Sequence, residues 1–155
     1  MKAKQIKLVR EQLDSNLKQL EPLRNTIVPN KGWIRAIRDA IGMTGQQLAK
    51  RMNVKKQRVA RIEQDERLGK CTLKTLKNAA QALDCIFVYG FLPNNSLEKI
   101  VKQQAQAIAK KRMARTNQTM RLEQQELSEN EKEKALKALT EDIINTMPKT
   151  LWDEQ

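Results

Sequence analysis

The sequence predicts a mainly α-helical fold with helical arms at both ends and one short β-strand. Apolar residues make up 39% of the 155 residues and aromatic residues only 3%, which favours a modest core of aliphatic side chains. Apolar positions recur at steps of three and four along most of the chain, the period of amphipathic helices. One segment, CIFVYGFLP, breaks that period and is rich in β-branched and aromatic residues, which is typical of a strand.

Residues 1–32 are predicted to form a helix and a connector. The helix covers residues 3–21 and ends before Pro22, because proline cannot continue a helix interior. The connector EPLRNTIVPNKG contains two prolines and a glycine, which favours a loop. The apolar stripe of the helix consists of Ile6, Val9, Leu13, Leu17 and Leu20.

Residues 33–84 are predicted to form a small helical domain. Its first helix starts near Trp33, carries Ile34, Ile37 and Ile41, and stops at Gly42. The domain ends in a helix that Thr72 can cap. The apolar stripe of this last helix consists of Leu73, Leu76, Ala79, Ala80 and Leu83.

The centre of this domain, residues 44–64, has the spacing of a helix-turn-helix. Thr44 is a suitable N-cap for the first helix, and Asn53 can adopt the left-handed conformation of a tight turn. Ala49 must be small because the second helix crosses close to it. The interior is predicted to contain Leu48, Ala49, Met52, Val54, Val59 and Ile62. An ordinary helical hairpin is the alternative interpretation.

Residues 85–93 are predicted to form the short strand, and no partner strand is evident elsewhere in the sequence. Because an unpaired strand leaves backbone donors and acceptors unsatisfied, we expect pairing with a second copy across a two-fold axis. A buried extended segment, or pairing with the N-terminal connector, is the alternative. The residues assigned to this dimer strand are Ile86, Phe87, Val88, Tyr89 and Phe91.

Residues 94–155 are predicted to form a C-terminal helical arm. Its first helix runs from Ser96 to about Gln125 and contains the basic cluster KKRMAR at 110–115. A last helix runs from near Glu129 to Met147. The ending PKTLWDEQ is expected to be loosely ordered unless Trp152 finds a pocket.

Charge and composition narrow the functional class. The net charge is +12, and residues 126–155 reverse the sign with 4 basic and 8 acidic groups, which suggests a polyanion-binding body and a tail that does not contact DNA. Histidine is absent, which excludes histidine-based catalysis and disfavours metal sites, so no cofactor, no metal and no enzymatic activity are expected. Cys71 and Cys85 are expected to be buried reduced thiols in a cytoplasmic protein without a membrane span.

The outer surface of the helix-turn-helix carries the groups that read double-stranded DNA. Gln57 suits a bidentate contact to adenine, and Arg58 or Arg61 the same contact to guanine. Lys55 and Lys56 lie at the helix start, where phosphate contacts are expected. The predicted DNA-binding residues are Thr44, Gln46, Gln47, Lys55, Lys56, Gln57, Arg58 and Arg61. A dimer would read palindromic or repeated half-sites.

The stretch from Gly32 to Pro93 resembles phage-repressor-type helix-turn-helix domains and, more narrowly, the family called mobile mystery protein A. The resemblance depends on GWIRAIRDAIGMT, QLA, QRV, IE, TLK, AAQALDC and FVY, and extends to TMRLEQQ and LWD. Three positions depart from the wider repressor pattern. Gly45 stands in place of a phosphate-binding glutamine, Asn53 in place of the turn glycine, and Lys55 in place of a serine or threonine cap.

The resemblance implies a regulator encoded on mobile elements beside a Fic-domain protein, an arrangement similar to an autorepressing antitoxin and its toxin. Proteins that neutralise Fic enzymes often carry Ser or Thr, three residues, then Glu followed by Gly or Asn. Thr119 with Glu123, and Thr150 with Glu154, match the first part, but Gln follows both glutamates. The alternative function is an interaction protein that mainly inhibits a partner enzyme, with DNA binding secondary.

Overall fold

The computed structural model describes residues 2–122 and 127–153, and its regular elements there are helices, which confirms the mainly α-helical class. A short 3-10 helix lies between α1 and α2. The elements are α1 (Ala3–Lys18), the 3-10 helix (Glu21–Asn25), α2 (Trp33–Ala40), α3 (Gly45–Met52), α4 (Lys56–Arg67), α5 (Leu73–Ala82), α6 (Leu97–Leu122) and α7 (Glu129–Thr146).

The chain divides into two compact units. One unit, Pro22–Gly90, contains α2 to α5 and is called the four-helix unit here. The other unit joins Met1–Glu21 to Phe91–Gln155, so that α1, α6 and α7 pack together, and it is called the three-helix unit.

The core of the four-helix unit contains most of the apolar residues that the periodicity selects. Leu48 and Ala79 are fully buried, and Val59 and Ile62 are nearly so. Val54 differs from the prediction: it is 36% exposed, because it follows the turn and faces outward between two grooves. The buried residues of this core are Ile34, Leu48, Ala49, Val59, Ile62, Ala79, Ala82 and Leu83.

All four helices of this unit end in the same backbone motif. A left-handed residue follows each helix, and the next amide reaches back to a carbonyl five residues earlier, as in the Schellman motif. At the end of α3, for example, the Val54 amide donates to the Ala49 carbonyl at 2.9 Å. The motif stops each helix sharply and satisfies its last carbonyls. The left-handed residues are Gly42, Asn53, Gly69 and Asp84.

The N-terminus of α2 is capped by a side chain from α4. The Glu66 carboxylate accepts hydrogen bonds from the Trp33 amide at 2.8 Å and from the Ile34 amide at 3.0 Å. Gly32, with φ of 79°, lies so close that a Cβ there would be 2.8 Å from Glu66 Oε2. Glu66 therefore has a structural role, and glycine at position 32 makes room for it.

A buried ion pair also joins α2 to α4. Arg38 Nε donates to Glu63 Oε1 at 2.7 Å, and Arg38 Nη1 donates to the Met43 carbonyl at 2.9 Å. The hydrogen bond that Arg38 donates to Glu63 is the main cause that raises the pKa of Arg38, against the opposing effect of burial. Since the two side chains are only 12% and 11% exposed, the pair is sheltered from solvent screening.

The predicted strand is wrong for the single chain. Residues 85–93 have no regular hydrogen-bonding pattern, and no strand occurs in the described ranges 2–122 and 127–153. The alternation expected of an extended segment survives, because Ile86 and Val88 are exposed whereas Cys85 and Phe87 are half-buried. The Phe87 and Tyr89 rings stack at 5.8 Å between centroids. A strand needs a neighbour for its ladder, and the connector does not supply one.

The core of the three-helix unit lies where α6 and α7 pack together. Its buried residues are Val101, Ala105, Ile108, Ala109, Ile143 and Leu151. Leu151, 1% exposed, anchors the chain after α7, and its carbonyl accepts a hydrogen bond from Gln104 Nε2 at 2.8 Å. Trp152, which the sequence suggested as the anchor, is 53% exposed. Ser128 forms a capping box with Glu131 at the start of α7, close to the predicted start.

Polar contacts attach α1 to α6. The Asp14 carboxylate accepts hydrogen bonds from the Leu97 amide at 2.7 Å and the Glu98 amide at 3.1 Å, so it caps α6 together with Ser96. Arg10, 6% exposed, donates through Nε to Glu98 at 2.6 Å. The packing face of α1 therefore overlaps its apolar stripe only in part: Ile6 and Leu17 are half-buried, whereas Val9 and Leu13 stay 49% and 44% exposed.

Candidate nucleic-acid interface

The helix-turn-helix forms as the sequence predicts. Thr44 Oγ1 accepts a hydrogen bond from the Gln47 amide at 3.1 Å, and Gln47 Oε1 accepts one from the Thr44 amide at 2.8 Å. Asn53 has φ of 57° and ψ of 43°, the left-handed conformation of the turn. Lys55 occupies the N-cap position of α4 without a side-chain cap, as its departure from serine or threonine implies. The capping box fixes the start of α3, and the left-handed turn at Asn53 leads the chain from α3 into α4.

The buried and exposed faces of α4 are cleanly separated. Val59 and Ile62 face the core, and at about 100° per residue Gln57, Arg61 and Gln64 fall on the opposite face. All three of those side chains are exposed. Sequence reasoning missed Gln64, although its spacing of three and seven from Arg61 and Gln57 indicates the same face. The outer face of α4 thus presents two amides and one guanidinium.

Arg61 is only loosely held in the free protein. Its side chain is 75% exposed, and it faces the Asp65 carboxylate with Nε 3.9 Å from Oδ2. A pair at that distance and exposure contributes little to stability. The guanidinium can therefore leave Asp65 and contact a base edge at small cost.

A shallow groove is lined by four of the eight predicted DNA-binding residues. It has a volume of about 600 Å³ and lies where the start of α3 meets the start of α4. Lys50 also faces it and was missed by the sequence reasoning, because an exposed lysine carries no distinguishing pattern. The groove is lined by Thr44, Gln46, Gln47, Ala49, Lys50, Val54 and Lys56. Lysine and amide donors beside a helix N-terminus suit a phosphate group.

Arg58 stands apart from the other predicted readers. It lines a second groove, of about 650 Å³, whose other side is formed by Thr75, Asn78 and Gln81 on α5. The guanidinium is exposed there but lies on the flank of α4. This position favours contact with a phosphate at the groove edge over direct base reading.

Gly45 leaves space where the wider repressor pattern has glutamine. It is the first residue of α3, and a Cβ built on it would meet no heavy atom within 4 Å. The absence of the glutamine therefore has no steric cause. Its neighbours Gln46 and Gln47 are both exposed and supply amide groups one position further along.

The two cysteines are half-buried free thiols, and neither lies at this surface. Cys71 Sγ donates to the Ile62 carbonyl at 3.4 Å, and Cys85 Sγ donates to the Leu83 carbonyl at 3.4 Å. Burial raises the pKa of the Cys71 thiol, and the nearby carboxylates of Asp65 and Glu66 raise it further. A thiol in this setting is protonated at neutral pH and acts as a structural donor.

Comparison with known proteins agrees with this geometry. Residues 34–86, about a third of the chain, match the helix-turn-helix family, and this match defines the stretch as a phage-repressor-type DNA-binding regulatory domain. That family is not an enzyme family. No curated protein and no solved structure matches the chain. None of the described helices is both long and apolar enough to cross a bilayer.

Proposed function

We propose that the protein is a sequence-specific transcriptional regulator that inserts the outer face of α4 into the major groove of double-stranded DNA. The observation that carries this proposal is the exposure of Gln57, Arg61 and Gln64 on one face, directly opposite the buried Val59 and Ile62. Glutamine pairs with adenine and arginine with guanine through two hydrogen bonds each, so this face can distinguish base pairs.

The exposed polar residues that flank this face position the domain on the DNA backbone. Lys50 and Lys56 carry the charge of the groove beside α3, and Gln46 and Gln47 add amide donors. Arg58 contacts the DNA backbone on the opposite flank of α4. Contacts of this kind fix the register of the recognition helix and make binding depend steeply on salt.

Selection of bound duplexes from a random pool tests base reading. Arg61→Ala is expected to weaken binding to the selected operator by about tenfold to a hundredfold and to affect unrelated DNA far less, since a bidentate pair is worth roughly 1–3 kcal/mol. Arg35→Ala is the matched control, because Arg35 is also exposed and faces an aspartate four residues on, at 3.8 Å. An equal loss on operator and unrelated DNA would refute the base contact of Arg61.

The regulator acts as a homodimer in this proposal. One α4 reads only a few base pairs, and two copies one helical turn apart double the sequence that is read. The exposed Ile86, Val88 and Phe91, with 89%, 70% and 85% of their surfaces accessible, support pairing of residues 85–93 across a two-fold axis. Ile86→Lys should then give a monomer in sedimentation equilibrium, whereas Ile27→Lys, at an equally exposed residue (86%), should not. A chain that is monomeric before any substitution would contradict the dimer.

The resemblance to the mobile mystery protein A family favours a second function. The resemblance implies a Fic-domain protein encoded beside the regulator, and we propose that this chain represses its own promoter and restrains that protein. The three-helix unit supports a separate partner role, because it lies wholly outside the matched residues 34–86. Thr119 in this unit is exposed on α6, and its hydroxyl donates to the Arg115 carbonyl at 3.1 Å. Glu123 and Glu154 lie outside the described residues.

Co-expression with the neighbouring gene tests this second role. Stable co-purification and loss of the partner's enzymatic activity would support it. Truncation of residues 91–155 is unsuitable as the variant, since α1 would lose its packing partners. Thr119→Ala in the full chain is the sharper test, and unchanged inhibition by that variant would remove Thr119 from the inhibitory contact.

A further inference from the structure

Helix α6 carries a concentration of positive charge that the helix-turn-helix does not explain. Residues 99–122 contain seven lysines and arginines and no aspartate or glutamate. Three of the cations, Lys111, Arg112 and Arg115, form what is called the α6 basic face here, and all three are exposed. Within residues 2–122 and 127–153, no carboxylate lies within the 4.0 Å of an ion pair with any of them.

The α6 basic face points away from α7. Met113 and Asn117 are half-buried and line a groove of about 510 Å³ that α7 shares. At 100° per residue, Lys111 and Arg115 fall on the far side of the helix from these two residues. The carboxylates of α7 that border this groove, Glu129 and Glu133, therefore cannot reach the α6 basic face.

The other lysines of the same unit are placed differently. Lys110 borders the groove that contains Glu129 and Glu133. Lys102 and Lys137 border the neighbouring groove of about 780 Å³, together with Glu98 and Glu141. These three lysines lie among carboxylates, so their charges are partly balanced. Among the described residues, no carboxylate is close enough to form an ion pair with the α6 basic face.

Helix stability does not account for this arrangement. Lys111 and Arg115 are four residues apart and Arg112 and Arg115 three apart, and like charges at these spacings destabilise a helix by a few tenths of a kcal/mol each. The favourable effect of a cation on the helix dipole is confined to the last turn, and Arg115 lies seven residues before Leu122, the end of α6. A polyanionic ligand would compensate for the repulsion.

We infer that the α6 basic face is a second DNA-binding surface, which contacts phosphates of the duplex without reading its sequence. This inference rests on one part of the proposed function, namely that the chain binds DNA. Lysine and arginine on one helix face, without aromatic stacking groups, suit a regularly charged backbone. The residues just beyond are Thr116 and Thr119, whose hydroxyls are turned to their own helix at 3.1 Å each, so the cations make the contact.

The test measures how the affinity of the full chain for DNA depends on salt. One variant replaces Lys111, Arg112 and Arg115 by glutamine, and a matched variant replaces Lys102, Lys110 and Lys137, so both lose the same net charge. The duplex extends about two helical turns beyond the selected operator on each side. A duplex of unrelated sequence and equal length is measured in parallel.

The α6 triple variant is expected to reduce the slope of log affinity against log salt by about 2 to 3, close to 0.9 for each phosphate that the variant no longer neutralises. The reduction should be the same on operator and unrelated DNA, and the matched triple should change the slope by less than about 1. If the two triple variants changed the slope equally, or if neither changed it, the second DNA-binding surface would be refuted. An acidic protein would then be the remaining class of ligand for the α6 basic face. If the unaltered chain bound operator and unrelated DNA equally well, base reading by α4 would be refuted. The second DNA-binding surface would not be refuted by that result.

Discussion

The buried ion pair of Arg38 with Glu63 offers the most quantitative test of the four-helix unit. Glu63→Gln keeps the size of the side chain but removes the counter-charge of a guanidinium that is 12% exposed. Removing one partner of a fully buried pair costs about 3–5 kcal/mol. Asp39 Oδ1, at 3.1 Å from Arg38 Nη1, and the Met43 carbonyl remain as partners and reduce this loss. We expect the free energy of unfolding to fall by about 2–3 kcal/mol.

The assay is urea unfolding followed by tryptophan fluorescence. Trp33 belongs to the four-helix unit and Trp152 to the three-helix unit, so a Trp152→Phe background makes the signal specific for Glu63→Gln. With a slope of about 1 kcal/mol per molar urea for a small domain, the midpoint should fall by roughly 2–3 M. Arg35→Met is the exposed control and should shift the midpoint by less than about 0.5 M.

A double-mutant cycle separates the pair from its surroundings. Arg38→Met combined with Glu63→Leu removes both charges and replaces them with apolar volume. The double variant should lose only about 1 kcal/mol, mainly because the Met43 carbonyl loses its donor. Additive losses from the two single variants would refute the reasoning, since they would mean that the two groups do not depend on each other.

Three further outcomes are expected. Gly32→Ala should lower the unfolding free energy by about 2–3 kcal/mol, because a Cβ would displace the Glu66 cap as well as strain the backbone. Gly42→Ala, the control, should cost only about 1 kcal/mol of backbone strain. Equal urea midpoints for the two variants would contradict this expectation. Asp14→Ala should destabilise the three-helix unit by about 1–2 kcal/mol, read from Trp152 fluorescence in a Trp33→Phe background, and no change would remove its capping role. Because its pKa is raised, the Cys71 thiol should be alkylated more slowly than a free cysteine at neutral pH. The rate is measured in a Cys85→Ser background, so that only Cys71 can react. A rate equal to or faster than that of free cysteine would refute the raised pKa.

The sequence predicts the helices well because the signals for a helix are local. Thr44, Ser96 and Ser128 each act as a cap one residue before a helix, and Asn53 takes the left-handed turn. The periodicity of residues 44–64 also identifies the outer face of α4. These features depend on neighbours a few residues away, so a single sequence contains them.

The features that the sequence does not reveal depend on distant residues. Glu66 caps an amide 33 residues away, and Asp14 caps one 83 residues away. No local pattern distinguishes such carboxylates from solvated ones. For the same reason the apolar stripe of α1 predicts only part of its packing face. The contacts of Arg10 and Asp14 with α6 also determine which side of the helix packs. The predicted strand is not formed, because no segment of residues 2–122 and 127–153 lies beside residues 85–93 as a second strand to complete a hydrogen-bonded ladder.

A hydroxyl-radical footprint of the full chain on its own upstream DNA tests the central claim, that the outer face of α4 reads DNA. We expect two protected regions about 10 bp apart, both lost with Gln57→Ala combined with Arg61→Ala and both retained with Arg35→Ala. Protection that is uniform along the duplex, or that survives the Gln57 and Arg61 substitutions, would contradict the claim.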